Sequence, residues 1–413
     1  MSPTYSRTIL GVVLATLLLA APLAAGGSTY SRYGIGDILY ANGGRAYAFG
    51  GASISLIGEG FINEFNPAGL AGIQLTRFSG DFSLTHFRST SDEGTANWGH
   101  GGFAGAAFAI PIDTANGVVL SLQASPYSVV GYAVSAEDST SLVPSHQTYT
   151  GSGGISQLAI GLSASLTQQV HVGAKLQYYF GTLHQYATST FDDDSYTSST
   201  FDRTTHYSGF GFTGGIIVDK VGELLGVPAL TPLTVGAVFQ SGWHADLSEE
   251  EIVATTDTNY RRSGAAVVPS GFGFGASFLA SHRYLISADV FSQSWGSATV
   301  DGVHPDALRN SLRAALGLEV LPERAGDSYW KRVAYRFGAY TATTYLQLNG
   351  QGINESGVTA GLGLPMGPDA RINLALQVAS RGTTTAGLQK DLIVRLTLGV
   401  TATELWFMTF PDE

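Results

Sequence analysis

Alternation of period two, repeated along most of the chain, is the feature that most narrows what it can fold into. Leu392, Val394, Leu396, Leu398 and Val400 fall on one face of an extended segment, with Asp391, Arg395, Thr397, Gly399 and Thr401 on the other. Ile372, Leu374, Leu376 and Val378 repeat the pattern against Arg371, Asn373 and Gln377, as do Leu312, Ala314, Leu316, Leu318 and Val320 against Arg313, Gly317 and Glu319. Further upstream, Val170, Val172, Ala174 and Leu176 alternate with His171, Lys175 and Gln177. Such runs are half-buried strands, because successive side chains of a strand point to opposite faces.

The question is what the apolar face meets. A soluble sandwich alternates too, but its polar face looks at water, whereas a membrane barrel puts the apolar face on lipid and the polar face in its lumen. Ionisable residues inside the segments keep almost wholly to the polar face, and aromatics gather toward segment ends: Tyr178, Tyr179 and Phe180; Trp330, Tyr335 and Phe337; Trp406, Phe407 and Phe410. Interfacial girdles use such rings. Only 13% of the chain is charged, well under the quarter or so of a soluble domain. After the N-terminus no apolar run is long enough to span as a helix, so a membrane-embedded chain must be a barrel.

The segments expected are 73–87, 99–112, 116–134, 146–166, 169–190, 201–218, 231–246, 262–280, 283–298, 309–321, 331–347, 354–364, 370–381 and 389–408. They make an all-β, 14-stranded antiparallel transmembrane β-barrel. Tight connections at 113–116, 167–169, 281–283 and 365–369 alternate with long polar stretches near 88–98, 135–145, 191–200 and 247–261, so short turns face the periplasm and long loops the outside. One turn, 219–225, reads as a brief helix stopped by Gly226 and Pro228.

Ahead of the strands stand two other segments. Arg7, an apolar run over 9–20 and small residues to Gly27 form an export signal expected over 1–25; the run is short for a retained anchor, which would need ~20 residues. Residues 26–72 are glycine-rich yet carry Tyr30, Tyr33, Tyr40, Tyr47, Phe49, Phe61 and Phe65, too many aromatics for disorder. Asn66-Pro67-Ala68-Gly69 near their end bars a continuous strand, since proline lacks the amide donor. A barrel of fourteen strands encloses more than its own side chains fill, so residues 26–72 are expected to fold inside it as an N-terminal hatch or plug, with 73–413 as the barrel.

The order of signal, glycine-rich stretch (Gly50-Gly51-Ala52), Asn66-Pro67-Ala68-Gly69-Leu70-Ala71 and fourteen strands resembles the FadL-type outer-membrane transporters of long-chain fatty acids and aromatic hydrocarbons. The run Tyr30-Ser31-Arg32-Tyr33-Gly34-Ile35-Gly36-Asp37 fits a divergent member. The resemblance implies a location in the bacterial outer membrane and a hatch motif at Asn66, Pro67, Ala68 and Gly69. It also implies passive, hatch-gated diffusion of a hydrophobic ligand through the lumen and sideways into the membrane. No ligand-contacting residues carry over one by one, and the chain ends on Pro411-Asp412-Glu413 rather than an aromatic residue.

The residues themselves suggest no catalysis. There is no cysteine, hence no disulfide or thiolate site, and the nine histidines lack metal-ligand spacing. No Gly-x-Ser-x-Gly elbow is present; an enzyme reading would need an exposed Ser/His pair. Neither metal nor cofactor is expected, and a net charge of −11 argues against nucleic acid. Gly271-Phe272-Gly273-Phe274-Gly275 reads as a strand with a bare inner face, which either opens lumen space for a ligand or lets a plug approach. Asp192-Asp193-Asp194 and Glu249-Glu250-Glu251 read as solvated loop tips. Lys175, Asp289, Arg313, Glu319, Arg336, Arg371 and Arg395 should face the lumen, pairing with one another and the hatch. Phe61, Phe65, Arg336, Arg371 and Arg395 are the candidate ligand or hatch contacts, an arginine being suited to a carboxylate. The partners expected are a hydrophobic small molecule and outer-membrane lipid, with the barrel a monomer. The alternative function is a structural or secretion-associated barrel that anchors partner proteins with the same fold.

Overall fold

A computed structural model describes residues 27–41, 43–58, 60–138, 143–193, 195–253, 258–323, 328–367 and 370–404. The expected export signal, Asp194 and the closing aromatics Trp406, Phe407 and Phe410 lie outside these residues.

Among the described residues, eighteen strand segments form one antiparallel sheet. They are β1 (Asp37–Ile38), β2 (Thr76–Ser91), β3 (Gly94–Asp113), β4 (Val118–Asp138), β5 (Ser145–Ser165), β6 (Val170–Phe191), β7 (Ser199–Val218), β8 (Leu233–Gln240) and β9 (Trp243–Val253), followed by β10 (Thr258–Val268), β11 (Gly271–Ala280), β12 (Tyr284–Gln293), β13 (Thr299–Val300), β14 (Ser311–Val320), β15 (Ala334–Leu348), β16 (Gln351–Pro365), β17 (Arg371–Gly382) and β18 (Lys390–Glu404). The sheet closes where β18 pairs with β2, from Lys390↔Thr90 to Glu404↔Thr76. Three pairs, β8–β9, β10–β11 and β12–β13, are halves of interrupted strands, and β1 belongs to the segment inside. The wall is therefore a closed barrel of fourteen antiparallel strands.

The interruptions have local causes. Pro269 ends β10 because it has no N–H to give the ladder. Its carbonyl accepts instead from the side chain of Gln293 at 2.9 Å. A 3-10 turn, Trp295–Ser297, follows β12. These breaks turn the indoles of Trp243 and Trp295 into the barrel, where both are buried.

Two expectations need correction. Tyr178, Tyr179 and Phe180 do not form one girdle cluster: Tyr178 and Phe180 face out, whereas Tyr179 is buried and stacks on Trp243 at 4.4 Å. Consecutive strand residues cannot share a face. Two of the long polar stretches, 88–98 and 247–261, are also strand over most of their described residues, whereas 192–193 and 195–198 are loop as expected. β6 alone is 22 residues long, about twice what a tilted strand needs to cross a bilayer. Above the apolar belt both faces of a strand are wet, so alternation fades while the ladder continues. The expected brief helix is present as α2 (Val221–Leu225, labelled after α1 below), ended by Gly226 at φ 67.

Residues 27–75 run through the lumen. They form a 3-10 turn (Thr29–Arg32), β1, the short helix α1 (Gly43–Ala48) and a second 3-10 turn (Pro67–Gly72). Together they touch β4 to β7 on one side and β15 to β18 and β2 on the other, which only an internal position permits. The long-loop half of the interior is an apolar core uniting Tyr30, Ile35, Tyr132, Tyr179, Trp243, Trp295 and Tyr345. Below it the strands offer charge and bare glycine. A Cβ on Gly215 would overlap the side chain of Asn66, and one on Gly173 would overlap the backbone at Pro67 and Ala68. Gly273 and Gly275 admit Ile54 in the same way, while Phe272 and Phe274 face outward. On the outer face Phe103, Leu122, Leu162, Phe210, Leu316 and Val358 are all exposed, the apolar belt that a lipid-facing wall presents.

Candidate functional site

Among the described residues the ladder between β3 and β4 is incomplete. β3 pairs with β4 only from Asp113↔Val118 up to Ala106↔Ala124. Pro126 then withholds a donor, and the register of β4 against β5 shifts between Pro126 and Ser128. Beyond this bulge β4 keeps β5 on one side, while its other edge is taken by the internal segment rather than by β3. Asp37 pairs with Val129 and Ile38 with Ser128. Leu39 donates its N–H to the Tyr127 carbonyl at 3.0 Å. The Ser128 hydroxyl donates to the Ile35 carbonyl at 2.6 Å, and the Ser31 hydroxyl accepts from the Gly131 N–H at 3.1 Å. A strand edge needs partners, and here it finds them in the segment that precedes β2.

Polar clamps from around the wall fix that segment. Arg381 binds Asp37 with both terminal nitrogens, at 2.8 and 2.9 Å, and lies 3.8 Å from Glu355 and 3.7 Å from Asp391. Asp391 is fully buried and accepts from Ser28 at 2.5 Å and Ser89 at 2.7 Å. Asp81 accepts from Gly44 N–H at the start of α1, at 2.7 Å, and Asp289 accepts from Ser53 and Ile54 N–H at 2.5 and 2.7 Å. Arg313 donates to the Gly50 carbonyl at 2.9 Å and lies over the Tyr340 ring. Lys175 donates to the Glu64 carbonyl at 2.5 Å.

Each candidate residue has a definite place. Asn66 caps the 3-10 turn by accepting from Ala68 N–H at 3.1 Å, with Pro67 at its first position, and its amide donates to the Ile54 carbonyl at 2.7 Å. Asn66, Pro67, Ala68 and Gly69 are all buried against β5, β6 and β7. Phe65 meets Phe291 edge-on at 5.2 Å. Phe61 lies beneath Arg45, whose guanidinium is 3.8 Å from the ring. Arg336 binds Glu319 at 2.7 Å and Asn373 at 2.8 Å. Arg371 donates to the Gly363 carbonyl at 3.3 Å, and Arg395 donates to Thr85 at 3.1 Å and lies over Tyr47. Sequence reading missed Asp37, Arg45 and Arg381, the central clamps. It also missed the wall break, although Pro126 in mid-segment was its signal.

Cavities border the described residues of the internal segment. A cavity of about 50 Å³ lies among Asp37, Tyr40, Arg313, Tyr340 and Arg381, and one of about 60 Å³ among Arg45, Asn63, Glu64, Ser79 and Asp81. A third, of about 580 Å³, opens at the short-turn end. Among the described residues no three His, Asp or Glu side chains are grouped to hold a metal.

Glu64 gives a pH-dependent prediction. One of its oxygens is enclosed without a hydrogen-bond partner among the described residues, while the carboxyl borders the 60 Å³ cavity. Burial first, then the nearby charge of Asp81, push it up to about 8 against the opposing pull of Lys175. The seated segment thus holds a proton that the released one, near 4.5, gives up. Stabilisation is complete below the lower value and lost as pH rises through about 8. Trp243 and Trp295 share a core with Tyr30 and Ile35, so their fluorescence reports release. Its urea midpoint is expected to fall between pH 5 and pH 8.5, and Glu64→Gln to flatten that slope; an unchanged slope in the variant contradicts the assignment.

Comparison with known proteins places this geometry. A FadL homologue from Pseudomonas aeruginosa superposes with a TM-score of 0.61 at 13% identity, over 89% of this chain and 99% of that one. The toluene transporter TodX of P. putida gives 0.56 at 13% identity, over 89% and 99%. CymD, a monoaromatic hydrocarbon channel, gives 0.54 at 12% identity, over 89% and 98%. These proteins are transport channels or a homologue of one, not enzymes. At such identity they show that the fold is theirs, and the expected FadL resemblance holds at that level. No curated protein matches the chain. The family itself has another name: the model called BamG matches residues 6–410, and the chain belongs to the BamG family.

Proposed function

We propose that this chain is a bacterial outer-membrane barrel, acting as a monomer, through which hydrophobic small molecules pass by diffusion when residues 26–72 rearrange as a hatch. The observation that carries the reading is the break between β3 and β4, where the free edge of β4 is covered by the internal segment, β1 included. A wall opening gives an apolar solute a way from the lumen into the surrounding lipid, and moving the segment that covers it opens the way. Asn66, Pro67, Ala68 and Gly69 form the floor of the hatch, and no chemical step is catalysed. Long-chain fatty acids or aromatic hydrocarbons suit such a route, as the names of the channels of like fold suggest.

A second reading rests on a specific observation. Two cavities of the interior, of about 50 and 60 Å³, are far below the 300 Å³ or more of ordinary ligand sites. A barrel so filled also suits the anchoring of partner proteins. Uptake of labelled oleate and toluene separates the readings: cells making the protein should take up at least one of them several-fold faster than an empty strain. Equal rates, with proteins co-purifying with the barrel, would replace passage by anchoring.

A further inference from the structure

The turns at 113–116 and 281–283 are tight and polar, whereas the connection from β7 to β8 is neither. It carries α2, and Leu224, Leu225 and Val227 along it are 54%, 61% and 42% exposed. The helix packs inward through Gly222, which is buried; a Cβ there would overlap the backbone of Val227 and Thr231. After Gly226 the chain folds back, and Val227 donates its N–H to the Gly222 carbonyl at 2.8 Å. That bond keeps Val227 beside the helix. Lys220 and Glu223, both exposed, are its charged residues.

This apolar surface adjoins another. Asp219 donates its N–H to the Gln169 carbonyl at 2.7 Å, and the Gln169 amide donates to Glu223 at 3.2 Å, which sets α2 beside the turn between β5 and β6. That turn begins with Leu166, itself 65% exposed, in the same outward alternation as Leu158, Ile160 and Leu162 of β5. The lipid-facing belt thus reaches past the end of β5 to the edge on which α2 sits. Scattered exposed leucines need no explanation, but a contiguous apolar patch marks an interaction surface.

We infer that α2 is an interfacial anchor whose partner is the phospholipid of the adjoining leaflet. The inference rests on the reading of this chain as an outer-membrane barrel. Leu224, Leu225 and Val227 lie at the boundary of headgroups and acyl chains, and Lys220 and Glu223 stay at headgroup level, as in other helices that lie in the interface. Continuity with the belt is what favours lipid over a protein: a patch that prolongs a lipid-facing wall is already within reach of acyl chains. β7 and β8, which α2 joins, are also strands whose Gly215 and Gly236 lie against Asn66 and against Ile54 and Ser55 of the internal segment. The anchor therefore fixes part of the wall on which that segment is seated.

The chain has no cysteine, so a nitroxide can be attached at one introduced site. The test is power-saturation EPR of labelled Leu225→Cys, in the purified barrel in phosphatidylcholine nanodiscs with no other protein present. It reads the label's accessibility to oxygen relative to a water-soluble nickel chelate. Leu162→Cys in the belt and Ala115→Cys in an exposed polar turn give the lipid and water limits. The ratio at 225 should exceed that at 115 by roughly fivefold or more and approach that at 162. If Leu225→Cys loses the heat-modifiable gel mobility of a folded barrel, the same result is expected at Leu224→Cys. A label at 225 as open to nickel as that at 115, with the label at 162 in lipid, would overturn the anchor and leave the membrane reading standing. A label at 162 that is itself open to nickel would overturn both together.

Discussion

Arg381→Ala is expected to release the internal segment while the barrel stays closed. The Arg381 side chain is 8% exposed, and its guanidinium faces Asp37, Glu355 and the fully buried Asp391. Removing it leaves three carboxylates without their cation, and breaking a buried ion pair from one side costs about 3–5 kcal/mol. Of the three, Asp37 is the one the segment can withdraw, by lifting β1 off β4. The loss should therefore fall on seating, lowering the urea midpoint of the Trp243 and Trp295 fluorescence change, with heat-modifiable mobility retained. Arg381→Lys should recover part of it, since the charge remains but the two-pronged geometry does not. An unchanged midpoint in Arg381→Ala would mean that the clamp is incidental.

Much of the wall was legible because lipid imposes a strict code. Every lipid-facing strand position must be apolar and every ionisable one must find the lumen, so the segment ending at Val400 shows its two faces without a partner in view. Strand ends were less legible. Where strands rise above the apolar belt both faces meet water, and the polar stretch 247–261 gives no sign that β9 and β10 pair along its described residues. The interrupted strands were invisible for a different reason. The break before Trp243 follows from packing inside the barrel, where its ring stacks on Tyr179, and that contact joins residues far apart in sequence.

The interior was legible in kind rather than in detail. Inward charges on strands demand partners, and Lys175, Asp289 and Arg313 each bind the backbone of residues 27–75. Which residues answer them depends on how an irregular segment winds, and no periodicity records that. Glycines were the exception. The alternation of Gly271, Gly273 and Gly275 with Phe272 and Phe274 states that something approaches from within, and Ile54 does. Family membership lay beyond this reasoning, because fold and family diverge here: the barrel is shared with hydrocarbon channels at 12–14% identity, while the sequence family is BamG.

In the proposed reading β1 closes the gap in the wall and leaves it for passage. Ile38 and Ser128 are direct partners across that edge. The Leu39 to Tyr127 hydrogen bond one step along makes theirs a non-hydrogen-bonded pair, where side chains stand closest. The chain has no cysteine, so Ile38→Cys with Ser128→Cys introduces a single possible disulfide at a spacing that suits one. The measurement is uptake of labelled oleate or toluene by cells carrying this double variant, before and after reduction. Empty-strain rates are expected while the bond is closed, with recovery to the parental rate once it is reduced. Uptake at the parental rate with the bond closed would contradict it.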